Sequence, residues 1–239
     1  MVFCSAVLLR SQRLTRYERF ILLPQARPVS AIVVDAAGQP VAGAHADHSD
    51  VAEQERLFTD EKGRLQLRTR APAIVVRKLG FDGQLIRTDT TGPMRIVLHR
   101  AAASLPACKA ACLGLSSPYS RLCFPSIPGI EVSEQAGVGN SVSREFLVPT
   151  RDGPREILLG GGPAWSLGVP FTSDIWESAE YSEKSYTFDG SQIIDARGKT
   201  SAGKLWRYLG RFGESASYYE VDKRDAALPD RFMDGVCIQ

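Results

Sequence analysis

The segment Arg64-Leu-Gln-Leu-Arg-Thr-Arg70 alternates strictly, with Leu65, Leu67 and Thr69 on one face and the arginines and Gln66 on the other. A period of two is the signature of a half-buried β-strand, so this stretch constrains the local fold before composition is considered. Its surroundings continue the theme. Val29-Ser-Ala-Ile-Val-Val34 is a β-branched run stopped by Asp35-Ala-Ala-Gly38, and Pro40-Val-Ala-Gly-Ala44 resumes an extended segment, which predicts a hairpin. Thr59-Asp-Glu-Lys-Gly63 predicts a second tight turn. Ala73-Ile-Val-Val76 and Met94-Arg-Ile-Val-Leu-His99 add two strands, the latter burying Met94, Ile96 and Leu98. Short strands separated by turn signals at this spacing predict a Greek-key-type β-sandwich over residues 28–102.

Three motifs in this region carry a family resemblance. Val33-Val-Asp-Ala-Ala-Gly-Gln-Pro-Val-Ala-Gly-Ala44, Thr59-Asp-Glu-Lys-Gly-Arg-Leu65 and Leu79-Gly-Phe81 follow in the order and spacing of the carboxypeptidase regulatory-like domain, which they resemble. The resemblance covers about 70 residues, under a third of the chain, and departs from the family at Ala31, where glycine is frequent. It implies a transthyretin-like sandwich, akin to carbohydrate-binding folds, used as an accessory module of exported or surface proteins. It does not imply peptidase activity.

Residues 104–239 read as an α+β, mostly β, domain without a family resemblance. Ser104-Leu-Pro-Ala-Cys-Lys-Ala-Ala-Cys112 predicts a short helix capped by Ser104. Arg144-Glu-Phe-Leu-Val148 and Arg155-Glu-Ile-Leu-Leu159 flank Pro149-Thr-Arg-Asp-Gly153 as a hairpin. Further strands are expected at 185–188, 191–194, 204–209 and 215–219. Leu228, Phe232 and Val236 have helical spacing in a C-terminal segment started by Asp222 and disturbed by Pro229.

Charge and cysteine content narrow the function classes. The formal charge is +2, and its asymmetry lies in the first 27 residues, where five arginines meet only Glu18. A nucleic-acid footprint over a whole domain is therefore excluded as an expectation. Residues 1–27 read as an N-terminal tail or a degenerate export signal, and no apolar run is long enough for a transmembrane span. With Cys4 in the tail set aside, Cys108, Cys112, Cys123 and Cys237 remain, an even set that fits disulfides in an exported domain. Four cysteines allow three connectivities, and four reduced thiols in a cytosolic protein is the competing reading. Cys108 and Cys112 would share a helix face too closely to bond each other, so each is expected to pair elsewhere, with Cys123 and Cys237.

Catalytic patterns are weak. His45-Ala-Asp-His48-Ser-Asp50 gathers metal-ligand types, but on a strand His45 and Asp47 project opposite to His48, so no metal is expected there. All three histidines precede residue 100, which deprives the second half of its usual general base. Trp165-Ser-Leu-Gly168 lacks the first glycine and following helix of a nucleophile elbow, and neither Gly160-Gly-Gly-Pro163 nor Gly198-Lys-Thr200 forms a phosphate loop. Asp174, Glu177, Glu180 and Glu183 fall three apart; on a helix they would share a face, as a solvated acidic surface or as a glycosidase pair. Most second-half aromatics are expected in the core, with Trp165, Trp176, Tyr181 and Trp206 as the candidates for stacking on a ligand.

The sequence thus predicts a mainly β, non-enzymatic accessory or binding protein, secreted, periplasmic or at the cell surface. A polysaccharide or another envelope protein is the expected partner, without cofactor or metal. A glycoside-acting enzyme using carboxylates of 174–183 is the alternative, as is a structural or protein-interaction module.

Overall fold

The computed structural model describes residues 25–47, 57–90, 92–101, 104–109, 111–116, 120–133, 136–138, 141–162, 180–211 and 213–239. The protein is mainly β, with several sheets and a C-terminal helix. Seven strands build the N-terminal sandwich: β1 (Arg27–Asp35), β2 (His45–Asp47), β3 (Leu57–Phe58), β4 (Arg64–Thr69), β5 (Ala73–Arg77), β6 (Gln84–Arg87) and β7 (Met94–Leu98). One sheet runs β4-β1-β7 and the other β3-β2-β5-β6. The alternation in β4 is realised, with Leu65, Leu67 and Thr69 buried and the residues between them exposed. The two inner faces meet in a core that includes Val29, Val33, Leu65, Leu67, Ile74, Val76, Ile96 and Leu98.

The first predicted hairpin is only a corner. Asp35 Oδ1 accepts from the amides of Ala37 and Gln39, so the turn forms, but pairing ends at the Val34–Pro40 bridge. The chain then crosses to the other sheet, and β1 pairs antiparallel with β4 and parallel with β7. The Asp60 turn repeats this chemistry, its Oδ1 accepting from Lys62 and Arg64 amides.

Ten strands and one helix follow: β8 (Leu122–Cys123), β9 (Glu131–Val132), β10 (Ala136–Val138), β11 (Ser141–Val148), β12 (Arg155–Gly161), β13 (Tyr181–Phe188), β14 (Ser191–Lys199), β15 (Leu205–Arg211), β16 (Glu214–Val221), α1 (Ala227–Asp234) and β17 (Cys237–Ile238). An eight-stranded antiparallel sheet runs β10-β11-β12-β16-β15-β14-β13, with β9 also on β11. The expected hairpin at 149–153 and the four expected later strands all lie within it. Its larger core centres on Phe124, Phe146 and Phe232, with the Phe124 and Phe232 rings stacked at 5.0 Å. Helix α1 begins at Ala227, not at Asp222, and Pro229 sits in its first turn, where a missing amide breaks no intrahelical bond. Val236 lies beyond the helix and is buried in the same core.

Residues 104–112 do not form the predicted helix. Cys108 N donates to Ile238 O at 3.1 Å and Pro106 O accepts from Ile238 N at 2.9 Å, so the backbone is bonded to β17 instead of to itself. Cys108 pairs with Cys237 and Cys112 with Cys123, so each cysteine of the 108/112 pair does bond elsewhere. Buried Glu214 secures residues 120–122 to the sheet by accepting from the Arg121 and Leu122 amides and from Ser120 Oγ.

Gly63 combines a φ of +71° with a position where a Cβ would lie 2.3 Å from Val33 O. Gly63→Ala is expected to cost about 2–4 kcal/mol, from the left-handed backbone penalty and the forced repacking together, measured by urea unfolding.

Candidate functional site

Strand β5 is buried along its whole length, although Ile74 and Val76 alone supply the sandwich core on one face. On the other face Arg77 reaches the eight-stranded sheet. Its Nε donates to Glu183 Oε1 at 2.9 Å, its Nη2 to Glu183 Oε2 at 2.6 Å and to Tyr181 Oη at 3.2 Å, and its Nη1 pairs with Asp47. Tyr181 in turn donates to Glu183. Gly83 makes room for this carboxylate, since a Cβ there would lie 2.0 Å from Glu183 Oε1. Asp82 Oδ1 accepts from Ser185 N at 2.7 Å beside it.

The electrostatics follow from the geometry. Burial alone would lower the Arg77 pKa, but the Glu183 and Asp47 charges outweigh it and hold the guanidinium well above its ordinary value. Burial pushes the Tyr181 phenol well up, reinforced by Glu183, so it remains a donor. Burial also acts to raise Asp47, yet the His45 hydrogen bond and the Arg77 charge win and hold its carboxyl below the usual range. His45 and Asp47 do share a side of β2, with Nε2 3.5 Å from Oδ1; His48 and Asp50 lie outside the described residues.

Of the acidic series, Asp174 and Glu177 lie outside the described residues, Glu180 directly precedes strand β13 and Glu183 lies within it, so these last two are not on a helix face. Glu180 is exposed and paired with Lys199 at 2.5 Å, whereas Glu183 is buried against Arg77. Both Glu183 carboxylate oxygens are thus committed to Arg77, with Tyr181 donating to one of them, and the group is closed off from a ligand.

The aromatic candidates divide similarly. Trp165 and Trp176 lie outside the described residues. Trp206 is 1% exposed and packs with Tyr208 and Ala196, with Tyr181 6.0 Å away in a tilted contact, so its face cannot stack on a ligand in this arrangement. The tight hairpin register explains why: Gly198 pairs with Trp206, and its missing side chain leaves the space the indole edge fills. Both Tyr181 and Trp206 nonetheless contribute to the wall of a cavity of about 410 Å³ at the ends of β13, β14 and β15. Glu180, Ser182, Arg197, Lys199 and Asp230 give it polar walls. Trp206 Nε1 is buried without a hydrogen-bond partner among the described residues.

On the face of the sheet away from Glu183, Arg207 forms a bidentate pair with Asp195 at 2.8 and 2.9 Å and reaches Asp234 of α1 at 2.8 Å. Burial tends to lower its pKa, but the Asp195 and Asp234 contacts raise it above the ordinary value. This pair and the Arg77 cluster went unnoticed in the sequence. A signal for the latter existed, since Ala73-Ile-Val-Val76 is apolar without alternation, as strands covered on both faces are.

No family model matches this chain, and no curated protein matches it. A solved structure of a DUF3823 family protein from Parabacteroides merdae, a β-rich protein, is similar at 9% identity, covering 90% of this chain and 98% of that one with a TM-score of 0.23. A likeness at that score carries no argument about function.

Glu183→Gln leaves Arg77 buried without its main counter-charge and is expected to destabilise the chain by about 3–5 kcal/mol in urea unfolding, while Arg77→Met with Glu183→Leu recovers most of that loss. The Asp47 carboxyl titrates lower in the folded state than in the unfolded state. Its contribution is therefore full above the ordinary carboxylate range and is lost as pH falls through its depressed value. Unfolding free energy measured from about pH 5 down to about pH 2 should fall less steeply in Asp47→Asn than in the parent chain.

Proposed function

We propose that the chain is a non-catalytic binding protein of the cell envelope or exterior, with carbohydrate as its ligand class and the cavity beside Gly198 as its site. The observation that carries this reading is the cavity lining. Three aromatic residues, Tyr181, Trp206 and Tyr218, and five polar or charged ones line a volume of about 410 Å³, within the range of small-ligand sites. The motif resemblance of residues 33–81 to carboxypeptidase regulatory-like domains supports an accessory role in an exported or surface protein. Two disulfides suit an oxidising compartment. The separate cores of the sandwich and the large sheet support a two-domain division near residue 102. Against a glycosidase, Glu180 and Glu183 are each engaged by a different cation, Lys199 and Arg77.

A spacer or protein-interaction role is the second reading. The Arg77–Glu183 contact favours it, because it fastens the sandwich to the large sheet.

The test is a glycan and polysaccharide binding survey on the oxidised chain. Retention of a glycan, with affinity reduced about tenfold by Lys199→Ala or Arg197→Ala, is the expected result, a change of about 1.4 kcal/mol. If no glycan is retained, or if both variants bind as the parent does, the carbohydrate site is wrong. Trp206→Ala serves as a stability control, expected to lose about 3–5 kcal/mol as a buried ring.

A further inference from the structure

The four paired cysteines occupy one small volume. The sulfurs of Cys108, Cys112 and Cys123 all lie within 4.8 Å of one another, and Cys237 is bonded to Cys108. Their convergence has a backbone cause. Cys237 and Cys123 are direct register partners of β17 and β8, while Ala107 bridges Ile238 and Leu113 bridges Phe124. Leu113 and Phe124 exchange hydrogen bonds of 2.8 and 3.0 Å, and Cys108 N donates to Ile238 O. Glu214 holds the same segment from below. None of these restraints passes through sulfur, so they continue to aim the four side chains together when the S–S bonds are open.

A second observation concerns the sulfurs themselves. Gln239 Nε2 donates to Cys112 Sγ and to Cys123 Sγ, each at 3.3 Å. Amide donors to sulfur stabilise thiolate character and tune metal centres from the outer shell. A tetrahedral zinc site with Zn–S bonds of about 2.3 Å needs its sulfurs about 3.8 Å apart. The bonded sulfurs, 2.05 and 2.04 Å apart, must separate once reduced, while those of Cys108, Cys112 and Cys123 already lie within 4.8 Å of one another, so side-chain rotation can bring the set to that spacing.

We propose that these residues form a redox-gated tetrathiolate site: the reduced chain binds zinc through Cys108, Cys112, Cys123 and Cys237, and exchange with a disulfide oxidant, which takes two electrons per bond and leaves as its dithiol, replaces the metal with the two disulfides. A thiol reductant opens each S–S bond with two electrons and two protons, yielding four thiols as the reductant is oxidised to its own disulfides. Zinc then forms four bonds to sulfur and displaces the four thiol protons. Zinc thus holds the chain termini of this domain together before the disulfides exist, and bond formation releases it. The proposal concerns the reduced chain and does not depend on the carbohydrate reading, which concerns the oxidised one.

The full chain, reduced with a phosphine under argon, is titrated with Co²⁺ and then with Zn²⁺. The expected result is saturation near a single cobalt per chain, with sulfur-to-metal charge-transfer absorption and the intense visible bands of a tetrahedral centre, displaced by zinc. Cys112→Ser and Cys237→Ser should each abolish the tetrahedral spectrum, and Gln239→Ala should weaken zinc affinity about tenfold. If reduction unfolds the chain, zinc should restore its far-ultraviolet circular dichroism. A folded reduced chain that takes up no cobalt, a weak octahedral spectrum, uptake indifferent to the cysteine variants, or an unfolded reduced chain that zinc does not rescue would each overturn the proposal.

Discussion

A guanidinium taken out of water costs several kcal/mol unless its charge and its donors are answered, and Arg77 is buried at the junction of two β structures. Glu183 answers it from the large sheet, Asp47 from the sandwich, and Tyr181 closes the ring of hydrogen bonds. The arrangement of the two units depends on this set, because the pairing is directional and each member is useless to the others if displaced. Gly83 shows how close the fit is, since even a methyl group there would collide with the Glu183 carboxylate. Such a junction contributes specificity of docking more than net stability: a well-packed apolar junction could be as stable without defining a single orientation.

The large sheet repeats the device on its other face. Arg207 and Asp195 are buried as a bidentate pair beneath α1, and the helix adds Asp234 and Asp230, the latter accepting from Tyr218 at 2.7 Å. One sheet is thus fastened on one side to the sandwich and on the other to its helix by arginine–carboxylate clusters. The ionisable groups that a sequence search would nominate for catalysis are largely occupied in this way. Within the acidic series, Glu183 is one such group, buried against Arg77, and Glu180 is paired with Lys199.

Local pattern was legible and long-range pairing was not. The alternation in β4, the Asp35 and Asp60 turns and the hairpin at 149–153 depend on neighbours within a few residues, and each appears where it was expected. That Cys108 and Cys112 each bond elsewhere was expected, but which takes Cys123 and which Cys237 was left open, and the expected helix over residues 104–112 is absent because Pro106 and Cys108 spend their backbone groups on Ile238, more than a hundred residues away. Trp206 looked like a candidate for stacking because composition records that a ring is present, whereas only the register against Gly198 reveals that the ring is enclosed. The Arg77–Glu183 pair joins residues 106 apart, which no periodicity encodes. Its trace was the unbroken apolar run of β5, a sign that both faces were covered but silent about by what.

The parallel pairing of β1 with β7 has a mechanical meaning. The sandwich begins with β1 and ends with β7, and because the two run side by side in the same direction, the chain enters at one end of the pair and leaves at the other. Tension applied to the two ends therefore slides one strand along the other and loads the hydrogen bonds from Ala31 to Asp35 together, instead of peeling them apart in turn. A module threaded in this way bears a pull along the chain far better than a hairpin-ended one of equal thermodynamic stability.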